Sequence, residues 1–270
     1  MKTHTLVVLL ILKGTTLKAI GHFSAIGAET AALGGIGFMS NYHSSSNHHA
    51  LMPWLEKPGI ACSMANYWGV KNLNQFNCSG VVPYKTFGYG FGLYNFGNAD
   101  YAEQGVQLSV AHAFHKRLSV GLGANYNSFR IANYGHKSVF LIDASLAAKV
   151  NDKVMLAFKV FNPYRAKLND YADERIQTVY SVGLQYKINA QVKSFVQLEK
   201  ANAFQPNLKL GIDYSPKSFY HLRFGFSSIQ PQFSFGAGFK HKKVVIDFAS
   251  TIHPMLGINS QLSFAYAIGH

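Results

Sequence analysis

The chain has 270 residues, of which 48% are hydrophobic and only 14% charged, with a formal net charge of +13 and a mean hydropathy of +0.03. A soluble domain usually carries about 25% charged residues, disorder needs low hydrophobicity, and no apolar run approaches the ~18 residues of a membrane helix. Helical membrane proteins and disordered chains are excluded, and two all-β solutions stay open, a soluble exported sandwich and a transmembrane barrel.

Lys2 precedes an apolar stretch at residues 6–12, and small residues follow at Ala19, Gly21, Ser24 and Ala25. That order predicts a secretory signal peptide over residues 1–25, cleaved after Gly21 or after Ala25. Its removal takes away Lys2, Lys13 and Lys18 and no acidic residue, so the mature chain stays basic. In an exported protein this suits an anionic membrane surface. No nucleic-acid motif is present, so no nucleic-acid partner is expected.

Residues 26–55 are expected to hold a plug-like N-terminal segment and a first strand at 34–40, with the rest of the β-structure in 56–270. His43, His48 and His49 fall in a Ser/Asn/His-rich stretch whose nearest carboxylate is Glu56. Closed zinc sites take four ligands, so a polar loop or plug, with no metal and no cofactor, is the better reading. A second strand is placed at 60–70 and a third at 86–94. In the latter, Gly88, Gly90 and Gly92 alternate with Phe87, Tyr89, Phe91 and Leu93. Glycines at strand period suit close packing or curvature in a wall rather than a phosphate cradle. Cys62 and Cys78 either pair in an oxidising compartment or stand as two buried thiols.

From residue 104 onward apolar and polar residues alternate with the period of a strand. Val106, Leu108 and Val110 oppose Gln107 and Ser109, and later segments repeat the pattern down to Leu262, Phe264, Tyr266 and Ile268. About fourteen strands result. Short connections fall around 115–117, 151–152, 189–190, 215–217 and 241–243. Longer ones fall at 131–137, 162–175, 201–206, 228–231 and 251–260. Short and long alternate in order, as in an up-and-down antiparallel barrel of the outer membrane and unlike a Greek-key sandwich. One connection, 71–85, is long where a short turn is expected. Tyr126, Phe129, Phe161, Tyr164, Tyr180, Tyr186, Tyr214, Phe219, Tyr220 and Tyr266 stand near strand ends, where barrels carry aromatic girdles.

The lumen-facing polar candidates are Asp143, Lys149, Lys159, Lys187, Glu199, Lys209, Asp213, Arg223, Lys240 and Asp247. Buried charges need partners, so a mutually satisfied network is favoured over an open polar conduit. His112 and His221 bring no evident nucleophile with them, and an enzyme is not expected.

Several blocks resemble the FadL superfamily of outer-membrane proteins, closest to its PorV/PorQ-like branch. They are Gly27-Ala28-Glu29-Thr30-Ala31-Ala32-Leu33-Gly34-Gly35-Ile36-Gly37, Asp100-Tyr101-Ala102-Glu103-Gln104, Val160-Phe161-Asn162-Pro163, the stretch 232–239, and His253-Pro254-Met255-Leu256-Gly257. Asn47-His48-His49-Ala50-Leu51 stands where the family has an Asn-Pro-Ala-Gly-Leu-like element. The resemblance implies a 14-stranded barrel in a Gram-negative outer membrane, with an N-terminal segment tucked into the lumen. Gly27, Leu33, Gly34, Gly35, Asn47 and Leu51 would then belong to a movable hatch. It also implies passage of hydrophobic or amphipathic small molecules. The nearer branch implies instead a component of a protein secretion apparatus, which would meet its partner proteins through 162–175 and 251–260. The expected partners are accordingly outer-membrane lipid, a hydrophobic small-molecule ligand, or secretion-machinery proteins. A soluble exported sandwich that binds a ligand is the further alternative.

Overall fold

The computed structural model describes residues 26–133, 135–169, 174–229 and 231–269; the expected signal peptide lies outside them. Sixteen strands follow in chain order. They are β1 (Gly59–Asn66), β2 (Asn74–Tyr84), β3 (Phe87–Gly97), β4 (Tyr101–His115), β5 (Leu118–Ile131), β6 (Gly135–Lys149), β7 (Val154–Phe161), β8 (Lys167–Asn169), β9 (Glu174–Arg175), β10 (Val179–Lys187), β11 (Val192–Ala201), β12 (Asn207–Lys217), β13 (Tyr220–Ser227), β14 (Gln232–His241), β15 (Val244–His253) and β16 (Gly257–Ala267). Fourteen of them form one closed barrel in which each strand pairs with its sequence neighbour and β1 closes on β16. β8 and β9 make a separate small ribbon within one loop. A sheet closed on itself is not a sandwich, so the soluble-sandwich alternative falls.

Alternation decides which side chain faces which way. In β4, Leu108 is 63% exposed on the outside, while its neighbours Gln107 and Ser109 are buried on the inside. The same inversion runs round the barrel, with Phe140, Val182, Phe224, Phe233 and Leu262 all exposed outward. Water penalises so continuous an apolar surface. Of the expected girdle aromatics, eight are exposed, but Phe129 is buried and Phe161 only partly accessible. Phe129 shares its parity with Asn125 and Asn127, which puts it inside.

The strand total of fourteen agrees with the sequence reading because two errors cancel. Residues 34–40 are not a strand: Gly34 and Gly35 take φ of +75° and +82°, and the chain runs on irregularly inside the barrel. The first strand begins only at Gly59, beyond the segment in which it was expected. The missed strand is β2, where inward Gln75, Asn77 and Ser79 hide the alternation of outward Phe76, Val82 and Tyr84. With β2 in place the anomalous long connection disappears. One barrel end then has turns of two to four residues, at 85–86, 116–117, 150–153, 188–191, 218–219 and 242–243. The other end carries 67–73, 98–100, 132–134, 162–178, 202–206, 228–231 and 254–256. The expected loop 251–260 shrinks to 254–256, because β15 and β16 pair almost to their tips. The short turns hold Lys85, Lys116, Arg117, Lys153, Lys242 and Lys243 against one carboxylate, Asp152.

Cys62 and Cys78 face each other across the β1–β2 ladder and form a disulfide, with Cα atoms 4.1 Å apart. The neighbouring Ser63 and Ser79 are buried inward, so the disulfide lies on the outer face.

Residues 26–58 fill the inside. They form α1 (Ala28–Ala32), α2 (Ser44–Asn47) and a 3-10 segment (His49–Trp54) before leaving for β1. The apolar core lies between this plug and the wall: Leu33, Ile36, Phe38 and Leu51 pack on Ala147, Met155, Ala157 and Phe195.

Candidate functional site

The wall receives the plug on bare backbone. A methyl group at Gly225 of β13 would sit 2.1 Å from the Gly34 nitrogen, and one at Gly121 of β5 would sit 2.6 Å from His49 Cβ. The glycines at 88, 90 and 92, read from sequence as packing positions in a wall, face Met52, Ser45 and Ser46 in the same way. Substituting Gly225 with valine is therefore expected to overpack the interface by roughly 1–3 kcal/mol. The readout is conductance in planar bilayers, which should rise as the plug is displaced.

Polar bonds fix the plug at several heights. Asp143 is the hub of the first group. Its carboxylate lies 2.8 Å from His49 Nε2 and 2.8 Å from Lys159 Nζ, and it accepts from Asn125 Nδ2 at 3.0 Å. Lys159 Nζ also donates to the Asn47 carbonyl at 2.8 Å. The Ala50 N–H donates to Ser145 Oγ at 3.0 Å. Elsewhere Lys209 pairs with Glu199 at 3.0 Å and donates to the Gly35 carbonyl at 3.1 Å. Arg223 collects three acids: Asp247 at 2.5 Å, Asp213 at 3.5 Å and Glu29 of α1 at 3.6 Å. The Gly37 N–H donates to Gln197 Oε1 at 3.0 Å, and the Ala28 N–H donates to Ser263 Oγ at 2.7 Å.

Seven of the ten sequence-derived polar candidates thus meet in three clusters. Lys149, Lys187 and Lys240 instead sit exposed near the short-turn rim, where Lys149 Nζ lies 4.2 Å from the Trp54 ring centre. Among the hatch candidates, Leu33 and Leu51 are fully buried, and Asn47 ties the plug together by bonding the Ile26 N–H and carbonyl, both at 2.7 Å. Gly27 takes φ of +106° against the His43 ring. The three histidines go to different places. His43 Nδ1 meets Ser79 Oγ of β2 at 2.9 Å, His49 meets Asp143, and His48 borders the cavity described next. Among the described residues no group of His, Cys, Asp or Glu is placed to hold a metal ion. Burial lowers the imidazole pKa of His43 to about 4 and that of His48 to about 3. Neither belongs to a spanning strand, and both rings stay neutral.

Above the plug, toward the long-loop end, a cavity of about 530 Å³ opens. Its floor is Gly37, Phe38 and 46–48 of the plug. Its walls come from β3 to β7, β10 and β11, and Phe204 borders it from the 202–206 loop. The aromatic share is high: Phe38, Tyr94, Phe96, Tyr101, Phe161 and Phe204 all border it. Beside it the described parts of the connection between β7 and β10 fold back into the mouth, with Ala166, Leu168 and Ile176 packed on Phe129, Val139 and Leu141.

Sequence reasoning missed Glu103, Tyr94 and Asn127 on this wall. Glu103 is 4% exposed and Asn127 2%. Extending the inward parity of Gln107 and Ser109 back along β4 reaches Glu103, so the signal was present. It also missed a Ser–His–Asp grouping: His221 Nδ1 lies 2.7 Å from Ser215 Oγ and 3.0 Å from Asp213 Oδ1. Both partners meet the same ring nitrogen, so the ring cannot take a proton from one side while held on the other, as nucleophile activation requires.

No family model matches the chain, and no characterised protein matches it by sequence. Solved structures do match its shape. A toluene transporter of Ralstonia pickettii, TbuX, superposes with a TM-score of 0.75 at 10% identity, over 92% of this chain and 100% of that one. CymD, a monoaromatic hydrocarbon channel, gives 0.70 at 12% identity over 91% and 98%. A FadL homologue of Pseudomonas aeruginosa gives 0.67 at 11% identity over 90% and 98%. The chain therefore shares the barrel fold of these solved transporters and channels, here closed from fourteen strands.

Proposed function

We propose that this protein sits in the outer membrane and passes apolar or amphipathic small molecules through its lumen, with residues 26–58 as the closure. One observation carries the reading. A predominantly apolar exterior surrounds a lumen that holds an aromatic-lined cavity directly above a polar-bonded plug. Lipid makes the exterior favourable, since a barrel satisfies its backbone internally and needs no water outside. The basic short turns suit the phosphates of the adjoining lipid headgroups. The likeness to transporters and channels of monoaromatic hydrocarbons supports the same direction. Nothing comparable favours a secretion component: Ala166, Leu168 and Ile176 of the connection between β7 and β10 pack into the mouth, and 254–256 is too short to reach far.

Deleting residues 27–51 tests the closure. The expected result is a barrel that still fractionates with the membrane and shows increased conductance and uptake of small apolar solutes. A barrel with unchanged conductance and uptake would count against it, and recovery of the intact protein from the aqueous fraction would sink the membrane placement.

A further inference from the structure

Among the described residues Glu103 is the one acid on the cavity wall without a basic partner. Asp143 is paired with Lys159 and His49, and Glu199 with Lys209, whereas no ion pair to Glu103 exists among the described residues. Its Oε1 accepts the Tyr101 hydroxyl, and its carboxylate makes no other hydrogen bond there. Two further polar atoms beside it are buried and unsatisfied, Tyr94 Oη and Asn127 Oδ1. They flank the bare backbone of Gly105, where a methyl group would lie 2.1 Å from the Tyr94 ring and 2.7 Å from Asn127 Oδ1. All three side chains border the cavity. A buried polar atom without a partner costs free energy that a complementary ligand recovers.

The wall thus presents acceptors: a carboxylate, an amide oxygen and a phenolic oxygen. Tyr94, Phe96 and Tyr101 supply the rings beside them. A carboxylate ligand would bring a second negative charge to a site whose described lining holds no free cation, Lys159 being paired with Asp143. A protonated amine matches every element, because it donates three hydrogen bonds, neutralises Glu103 and is attracted to aromatic faces. We infer that the lumen recognises, at Glu103, Asn127 and Tyr94, the ammonium group of an apolar, preferably aromatic, amine. The inference rests on the passage reading above and names the class of solute that the cavity selects.

The test uses the refolded full-length protein in detergent, titrated calorimetrically with 2-phenylethylamine, 2-phenylethanol, 3-phenylpropionate and ethylbenzene. The amine should bind at least about tenfold more tightly than the alcohol, the size of step expected for a charge-assisted hydrogen bond, with the carboxylate weakest. In Glu103→Gln the amine-to-alcohol affinity ratio should fall by about tenfold. Heat-modifiable gel mobility reports whether that variant folds, and if it does not, Asn127→Leu is read by the same ratio. A wild-type protein that binds the alcohol, the hydrocarbon or the carboxylate as well as the amine overturns the inference and leaves the passage reading standing. An amine preference that persists in the variant also overturns it. Failure of all four probes to bind removes both.

Discussion

Replacing Asp143 with alanine is expected to loosen the plug and to destabilise the protein by about 3–5 kcal/mol, the usual cost of removing one partner from a buried ion pair. Asp143 is fully buried and serves three donors at once, from His49 of the plug and from Lys159 and Asn125 of the wall. Without it, Lys159 retains the carbonyls of Ser46 and Asn47, and the His49 ring keeps only a 3.5 Å contact with Gln107 Nε2 on the wall. Two measurements check this. The temperature at which the folded gel band is lost should fall, and conductance in planar bilayers should rise. Pairing the change with Lys159→Met should recover part of the stability, because the orphaned cation is then gone. A variant with unchanged conductance would show that the Lys209 and Arg223 groups hold the plug on their own.

The second large effect lies on the opposite face of the wall. Leu108→Arg places a charge at the middle of β4, where the side chain points away from the lumen. In a lipid-embedded barrel an arginine near the bilayer midplane costs about 2–4 kcal/mol. On a surface facing water the same change would alter stability by about 0.5 kcal/mol or less. Urea titration of the protein folded into phosphatidylcholine vesicles separates the two outcomes. A shift below about 0.5 kcal/mol would contradict the membrane placement.

Parity and connection lengths make the barrel legible in the sequence. A strand repeats every two residues, so each segment from 104 onward announced itself independently. The N-terminal third was harder, for a physical reason. Inside a lumen the plug is buried on all sides and owes no periodicity to water, so residues 34–40, with their glycines and apolar residues, imitated a strand. β2 failed in the opposite sense, because its inward face is Gln, Asn and Ser and its outward face includes Cys78 and Gly80. The polar candidates were legible as positions but not as pairs. Only the folded chain shows that Asp143 meets His49 of the plug, 94 residues away. Glu103 lies one position before residue 104, where the sustained alternation begins.

The way the plug is attached to the wall sets an order of mechanical failure. Residues 26–58 run directly into β1, so traction on the plug toward the short-turn end arrives at Gly59. There the Ile268 N–H bonds to the Pro58 carbonyl at 2.7 Å, extending the seam past the first strand residue. β1 has eight register pairs with β16 and eight with β2, and the pull runs along the strand. Load applied along a ladder is borne by all its bonds together, whereas peeling breaks them one at a time. On the β2 side the Cys62–Cys78 link adds a covalent tether. The plug's own anchors are separate bonds at different heights, which traction meets in turn. They are expected to yield before the seam, so that force would empty the lumen while the wall stays closed.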